Sequence, residues 1–137
     1  MGAITRYGAS QMLLSAFIPE NSAMPSSLWV ALTLSVPPLE ATGSSLIEPN
    51  VGDYQRVEYS IGADHWLLDG QMTLMNSQDV TWPLPSENWG RIEGWALVDS
   101  PAGGLVLASG SIKTSVYVVA GASVSLPANL MRLRMEY

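Results

Sequence analysis

The chain has 137 residues, no cysteine and a net charge of -6. That is the length of one domain, enough to bury a core without disulfides or thiolate metal sites. Its cations (Arg6, Arg56, Arg91, Lys113, Arg132, Arg134) are scattered, which argues against a phosphate-binding basic patch, and no apolar run approaches the ~18 residues of a membrane-spanning helix.

Residues 5 to 18 carry the one helical pattern, with Tyr7, Met12, Leu13, Leu14, Phe17 and Ile18 gathering loosely on one side. Pro19 ends it, because a residue before proline resists helical dihedrals. So short a helix is marginal alone and is expected to dock on the rest of the fold, over an open end or edge. The N-terminus lacks the charged start and unbroken apolar segment of a signal peptide and reads as part of the mature fold.

Beyond the helix the pattern changes to strands. WVALTLS (29 to 35) puts Val30, Leu32 and Leu34 on one face, and Pro37 and Pro38 stop it. Residues 39 to 53 read as a long loop. YQRVEYSI (54 to 61) alternates Val57, Tyr59 and Ile61 against Arg56, Glu58 and Ser60. Short strands are expected at 72 to 75 and 79 to 82. RIEGWALVD (91 to 99) is apolar on both faces toward its end, which marks a central strand.

Strands are also expected over 105 to 112, 115 to 121 and 122 to 127. The closing LMRLRMEY sets Met131, Leu133, Met135 and Tyr137 opposite Arg132, Arg134 and Glu136. Many short strands separated by Gly/Pro turns predict a mainly β chain, an antiparallel β-sandwich or barrel-like domain spanning 1–137 with one short N-terminal α-helix.

Catalytic patterns are missing. The only histidine, His65, sits beside Trp66 in a segment that reads as a turn or strand end. There is no G-x-S-x-G, and no serine is singled out by a nearby base. Asp64 and Asp69 lack the alternating oxygen ligands of a calcium loop; turn carboxylates bonded to their own backbone are the simpler reading. No catalytic, cofactor-binding or metal-binding residue is assigned.

Charged residues are only 13% of the chain, against about 25% in an average soluble domain. A surface poor in charge is easier to desolvate, and interface cores are depleted in charge. Trp82, Trp89 and Trp95 fall within TWPLPSENWGRIEGWALVD. Aromatics anchor cores and interfaces, and rows of them can also stack sugars. Core or subunit contact is the favoured reading, with Trp82, Trp89, Trp95, Arg132 and Arg134 as interface candidates.

The order of motifs resembles a family of small bacteriophage virion proteins, the tail-fibre-like or head-decoration proteins. Pro25 with SLWVALTLS matches its first strand, and EPNVGDYQRV supplies Glu48, Pro49, Gly52, Tyr54, Arg56 and Val57. Trp66, NSQDVTWP, WGRIEGWALVD with Gly90, GGLVLASG, VVAGASV and PANLMRLRMEY follow in order. The stretch TWPLPSENWG is richer in Pro and Trp than the family form, and 62 to 75 departs from it.

The resemblance implies a non-enzymatic structural protein carried on the virion and made in the host cytoplasm. It points to a homo-oligomeric capsid decoration (cement) protein whose partners are the major capsid protein or other virion proteins, with no nucleic acid and no membrane. The alternative is a tail-fibre or tail-tip component, or a carbohydrate-binding module, contacting a glycan. Within the motif, Gly52 is expected to permit a sharp turn and Tyr54 to bury its ring with the hydroxyl bonded. Arg56 is expected to pair with an acid of a neighbouring strand or subunit, and Gly90 to let the chain turn beside Trp89.

Overall fold

The computed structural model describes residues 2–21 and 27–134. Pro25 of the first strand motif, and Met135, Glu136 and Tyr137 of the last, lie outside the described residues.

In chain order the elements are β1 (Gly2–Ile4), α1 (Arg6–Phe17), a 3-10 turn (Pro19–Asn21), β2 (Ser27–Thr33), β3 (Val57–Ser60), β4 (Trp66–Leu68), β5 (Leu74–Asn76) and β6 (Val80–Trp82). They continue with β7 (Gly90–Val98), β8 (Val106–Val118), β9 (Val124–Leu126) and β10 (Arg132–Arg134). Eight strands form one sheet in the order β3-β2-β7-β8-β1-β10-β5-β4, and β6 pairs with β9. The large sheet curls into a half-barrel, so the mainly β, barrel-like expectation holds. Its pairing is not wholly antiparallel: β1 runs parallel to β10.

The curl brings the two end strands together. A turn joins β3 to β4, and there the Tyr59 hydroxyl donates to His65 O, the Trp66 indole N–H donates to Ser60 O at 3.1 Å, and the two rings meet edge-on at 5.3 Å. Side chains thus close a gap that backbone pairing leaves open.

β7 is central, as its two apolar faces predict, lying between β2 and β8. The segments expected as two strands at 105–112 and 115–121 are one strand, β8, of 13 residues. An irregularity in the β7–β8 register, between Ile92/Gly94, absorbs the break in the pattern. β1 and β4 were not anticipated. Each is three residues long, too short to display a period of two.

The main core gathers Val30 and Leu32 from β2, Trp95 and Leu97 from β7, Leu107 from β8 and Met131 before β10. Trp95 faces Gly110 across the β7–β8 pair, and Gly110 faces Gly2 on β1. A Cβ at Gly2 would stand 2.5 Å from the indole and one at Gly110 2.8 Å. These glycines therefore make the bed on which the ring lies. On the opposite side of β2, β7 and β8 a smaller cluster of Ala31, Ala96, Val98 and Val106 packs with Leu46. Small side chains there let the irregular 34–56 segment approach the sheet.

Asn76 is a fully buried polar hub. Its amide donates to Gln78 O at 2.8 Å and Pro127 O at 3.0 Å, and its carbonyl oxygen accepts from Met131 N at 2.9 Å. Each buried polar atom is satisfied, as a buried amide requires.

The helix lies within the predicted span, but of the large apolar side chains expected on one side, Tyr7 packs against the main core while most of the others do not. Thr5 caps it: the hydroxyl accepts from Gly8 N at 3.1 Å and donates to the β8 carbonyls of Val106 and Leu107. Gly8 is the only buried residue of the helix, and a Cβ there would stand 2.3 Å from Leu107 O, so the approach requires glycine. Met12, Leu13, Phe17 and the following Ile18 are exposed. The helix docks at its first turn, through the close backbone approach at Gly8 and through Tyr7, whose ring packs against the main core and whose hydroxyl donates to Asp99 Oδ2 at 3.2 Å.

Candidate functional site

The family-like segment 48–56 folds around Arg56. The guanidinium grips Glu48 in a two-pronged pair, Nε to Oε1 at 3.0 Å and Nη2 to Oε2 at 2.9 Å. Nη1 donates to Ser100 O and Gly103 O, both at 2.9 Å, and Nη2 donates also to Gly43 O at 3.0 Å. A guanidinium has five N–H donors, and all five are used. Its side chain is 4% exposed and that of Glu48 is 19%. The acid expected to face Arg56 across strands or subunits comes instead from the same loop, with Pro49 directly after it.

The backbone is shaped to deliver those carbonyls. Gly103 and Gly104 hold φ of 61° and 78°, a region that favours glycine. A Cβ at Gly43 would fall 1.8 Å from Gly103 O. Gly52 is different from what its place in the motif predicts: its φ is not positive and a Cβ there would meet nothing within 4 Å. The turn at 51–53 therefore does not need a glycine. Gly90, with φ of 100°, does need one, as expected.

Tyr54 completes the clamp. Its hydroxyl donates to Glu48 Oε1 at 2.7 Å and accepts from Leu32 N at 3.0 Å, tying the loop to β2. Burial first, and then the Glu48 charge, push the phenol far above its usual range. The clamp lines an open cleft of about 970 Å³ whose wall carries Trp29. Within that cleft Arg56 has no spare donor, and Tyr54 holds its proton firmly. These groups brace the loop and have little left to offer a ligand.

The tryptophans belong to the same construction. Trp82, Trp89 and Trp95 are 3%, 4% and 1% exposed, all within this chain's own core. The Trp82 indole donates to Gln55 O at 3.0 Å and that of Trp89 to Asp53 Oδ1 at 3.1 Å. Trp89 also meets Tyr54 edge-on at 5.2 Å. Two of the three therefore pin the 53–56 segment to the body of the fold. Of the core-or-contact reading, the burial of all three rings within this chain corresponds to the core half. The physical reason is that the curled sheet has room for the indoles inside it.

Asp53 also accepts from Ser86 N. The Ser86 backbone bond and then the Trp89 indole hold its carboxyl below the usual range.

Arg132 and Arg134 are exposed on β10, on either side of the buried Leu133. Their charges reach Asp69, whose carboxylate accepts from Thr73 N at 2.9 Å and Gln71 N at 2.8 Å. Those backbone bonds foremost, and the two arginines after them, lower the Asp69 pKa. Asp69 is thus a turn carboxylate bonded to its own backbone. The Arg132 backbone and the Trp95 ring both lie against Gly2, but the indoles are buried while Arg132 and Arg134 are exposed, so the five candidates do not share one exposed surface.

His65 meets Tyr59 edge-on at 5.2 Å in the β3–β4 turn. Among the described residues no three His, Asp or Glu side chains gather as metal ligands, and no helix is long and apolar enough to cross a membrane. A feature not foreseen from the sequence is the outer stripe of α1. Arg6, Ser10, Leu13 and Phe17 are all exposed, at a 4-3-4 spacing that was legible in the chain.

No curated protein matches the chain. The family model described as podophage GP4 fiber I protein gp80 matches residues 3–134, which includes every element from α1 to β10. A match along nearly the whole chain places this protein in that family of bacteriophage virion structural proteins.

Proposed function

We propose that the chain is a non-catalytic building block of a podophage tail fibre, held in place by contacts with other virion proteins. The observation that carries this reading is the match of residues 3–134 to a family described by a fibre protein. The chemistry supports it. The polar groups of the family-like motif are spent on bracing the chain: Arg56 has no free donor, and Glu48 and Tyr54 bond inward. What faces outward is poor in charge and carries exposed apolar side chains on α1, on β4 and near the end of β8. Such surfaces gain affinity by burial, and Arg132 and Arg134 add charges at a rim.

A capsid-decoration role would use the same kind of surface. A cement protein binds the assembled shell and stabilises it by RT ln(1 + [L]/Kd) per site. Purified particles labelled with an antibody to this chain separate the two. Label on the tail fibres is the expected result, label over the head would favour decoration, and particles without label would overturn both. A glycan-contact role would need an indole reachable from water. Fluorescence titration with host-surface glycans tests it, and quenching that survives Trp29→Phe would exclude the cleft as the place of contact.

A further inference from the structure

We infer that the cleft beside Trp29 binds a neutral oligosaccharide. The inference goes beyond the structural role and does not rest on it, since a fibre or a decoration protein would carry the same cleft. Its volume of about 970 Å³ is at the upper end of the range for small-molecule sites. Two of the tryptophans, Trp29 and Trp66, are half-buried. Trp66 spends its indole N–H on Ser60 O. The Trp29 N–H meets no acceptor among the described residues and stays open to solvent. Beside it in the cleft stand Ser44, Asn50 and Gln55, all exposed, whose side chains bond to nothing among the described residues. A sugar ring offers C–H groups to an aromatic surface and hydroxyls to amides, and this lining supplies both partners.

Charge and backbone narrow the class of ligand. The only charged residues lining the cleft are Glu48 and Arg56, and they are paired with each other. An ionic ligand would find no free counter-charge there, and the chain's net charge of -6 disfavours anions further. An extended peptide would look for open backbone groups to pair with. The carbonyls of Gly43, Ser100 and Gly103 are already taken by Arg56. What remains free is carried by neutral side chains, which suits a ligand recognised through its hydroxyls.

The clamp gives the cleft a second property. Arg56 fixes the loop at Glu48 and Gly43 to the turn at Ser100 and Gly103. A wall held in this way loses little freedom when a ligand settles on it, and that lowers the cost of binding. The bracing groups thus shape the site, while Trp29, Asn50 and Gln55 touch the sugar.

The test is titration calorimetry of the full chain with maltotriose, cellotriose and chitotriose, beside trigalacturonate and an uncharged Ala-Pro-Ala peptide. At least one neutral trisaccharide is expected to bind with a Kd of about 0.1–1 mM. Trp29→Ala should weaken that binding about thirtyfold. Asn50→Ala and Gln55→Ala remove exposed side chains and should each weaken it about five- to tenfold. Urea unfolding of each variant separates a lost site from a lost fold, and the two amide variants decide the matter if Trp29→Ala unfolds. No heat from any neutral trisaccharide at about 10 mM, some tenfold above the weakest expected Kd, would overturn the inference. So would binding that all three variants leave unchanged, or trigalacturonate or the peptide binding as tightly as the neutral sugars. None of these outcomes bears on where antibody labels the particle, so this inference and the proposed function fail separately.

Discussion

Helix α1 and the segment from Glu48 to Arg56 show how little regular backbone says about where a fold is held. The helix has its backbone bonded and its cap in place, yet buries one residue. The segment contains neither helix nor strand, yet Arg56 alone makes five hydrogen bonds to four other residues. Trp82, Trp89 and Tyr54 add further ties. A buried charge is tolerable only when each donor is met, so such a site comes fully bonded or is costly. The helix faces no such demand on its outer side, and its apolar side chains remain available to something else.

The contrast is sharpest on removing Arg56. Arg56→Ala leaves Glu48 with only its Tyr54 bond and takes the guanidinium from three carbonyls, and should cost about 3–5 kcal/mol in urea unfolding. Arg56→Lys should recover little of that, since an ammonium cannot make the fork. Gly43→Ala forces Gly103 away from its place in the same clamp and should cost about 3 kcal/mol. Gly52→Ala, in the same segment with open space around it, should lie within about 0.5 kcal/mol of wild type or slightly above it. Equal losses at the two glycines would mean that the clamp does not govern the loop.

Tyr54→Phe removes the bonds to Glu48 and Leu32 and should cost about 1–2 kcal/mol near neutral pH. Its pH dependence carries a sign. The folded pKa of Tyr54 is raised above the unfolded value of about 10. The folded state therefore keeps a proton that the unfolded chain releases. That contribution is fully present below about pH 10 and is lost as pH rises beyond it. The stability gap between wild type and Tyr54→Phe should therefore narrow from roughly pH 9 to pH 11, as read by urea unfolding. A gap that widens there would contradict the assigned burial.

Thr33 is fully buried on β2, and its hydroxyl has no hydrogen-bond partner. Thr33→Val replaces that hydroxyl with a methyl of similar shape and should raise stability by about 1 kcal/mol. The smallest effect is expected on the helix. Phe17→Ser should change urea unfolding by no more than about 0.5 kcal/mol, because the ring is exposed. A large loss would show that the exposed ring supports its own chain after all.

How much of this was legible beforehand depends on the distance between the residues involved. The strand at 91–99 was readable because apolar residues on both faces of one short segment mark a central strand without reference to anything else. The proline stops, the loop at 39–53 and the need for glycine at Gly90 are equally local. The role of Arg56 is not local. Glu48 lies 8 residues away, but Gly43, Ser100 and Gly103 lie 13, 44 and 47 away, and only the folded sheet brings them together. The indoles illustrate the same limit. Composition identified Trp82, Trp89 and Trp95 as groups that protein must cover, but could not say which protein.

The sequence by itself determined the mainly β class, the single helix at the start and the order of family motifs, because period, breaker residues and collinear motifs are properties of neighbours along the chain. Tertiary structure decided the rest. It decided that the curled sheet takes the three tryptophans inside, that Arg56 is fully bonded within its own chain, and that α1 turns Gly8 inward and Leu13 and Phe17 outward. Each depends on which surfaces meet in space. For the helix the deciding contact was steric: only a residue without a Cβ could lie against the backbone of β8 at Leu107, and that one approach sets which way every other side chain of the helix points.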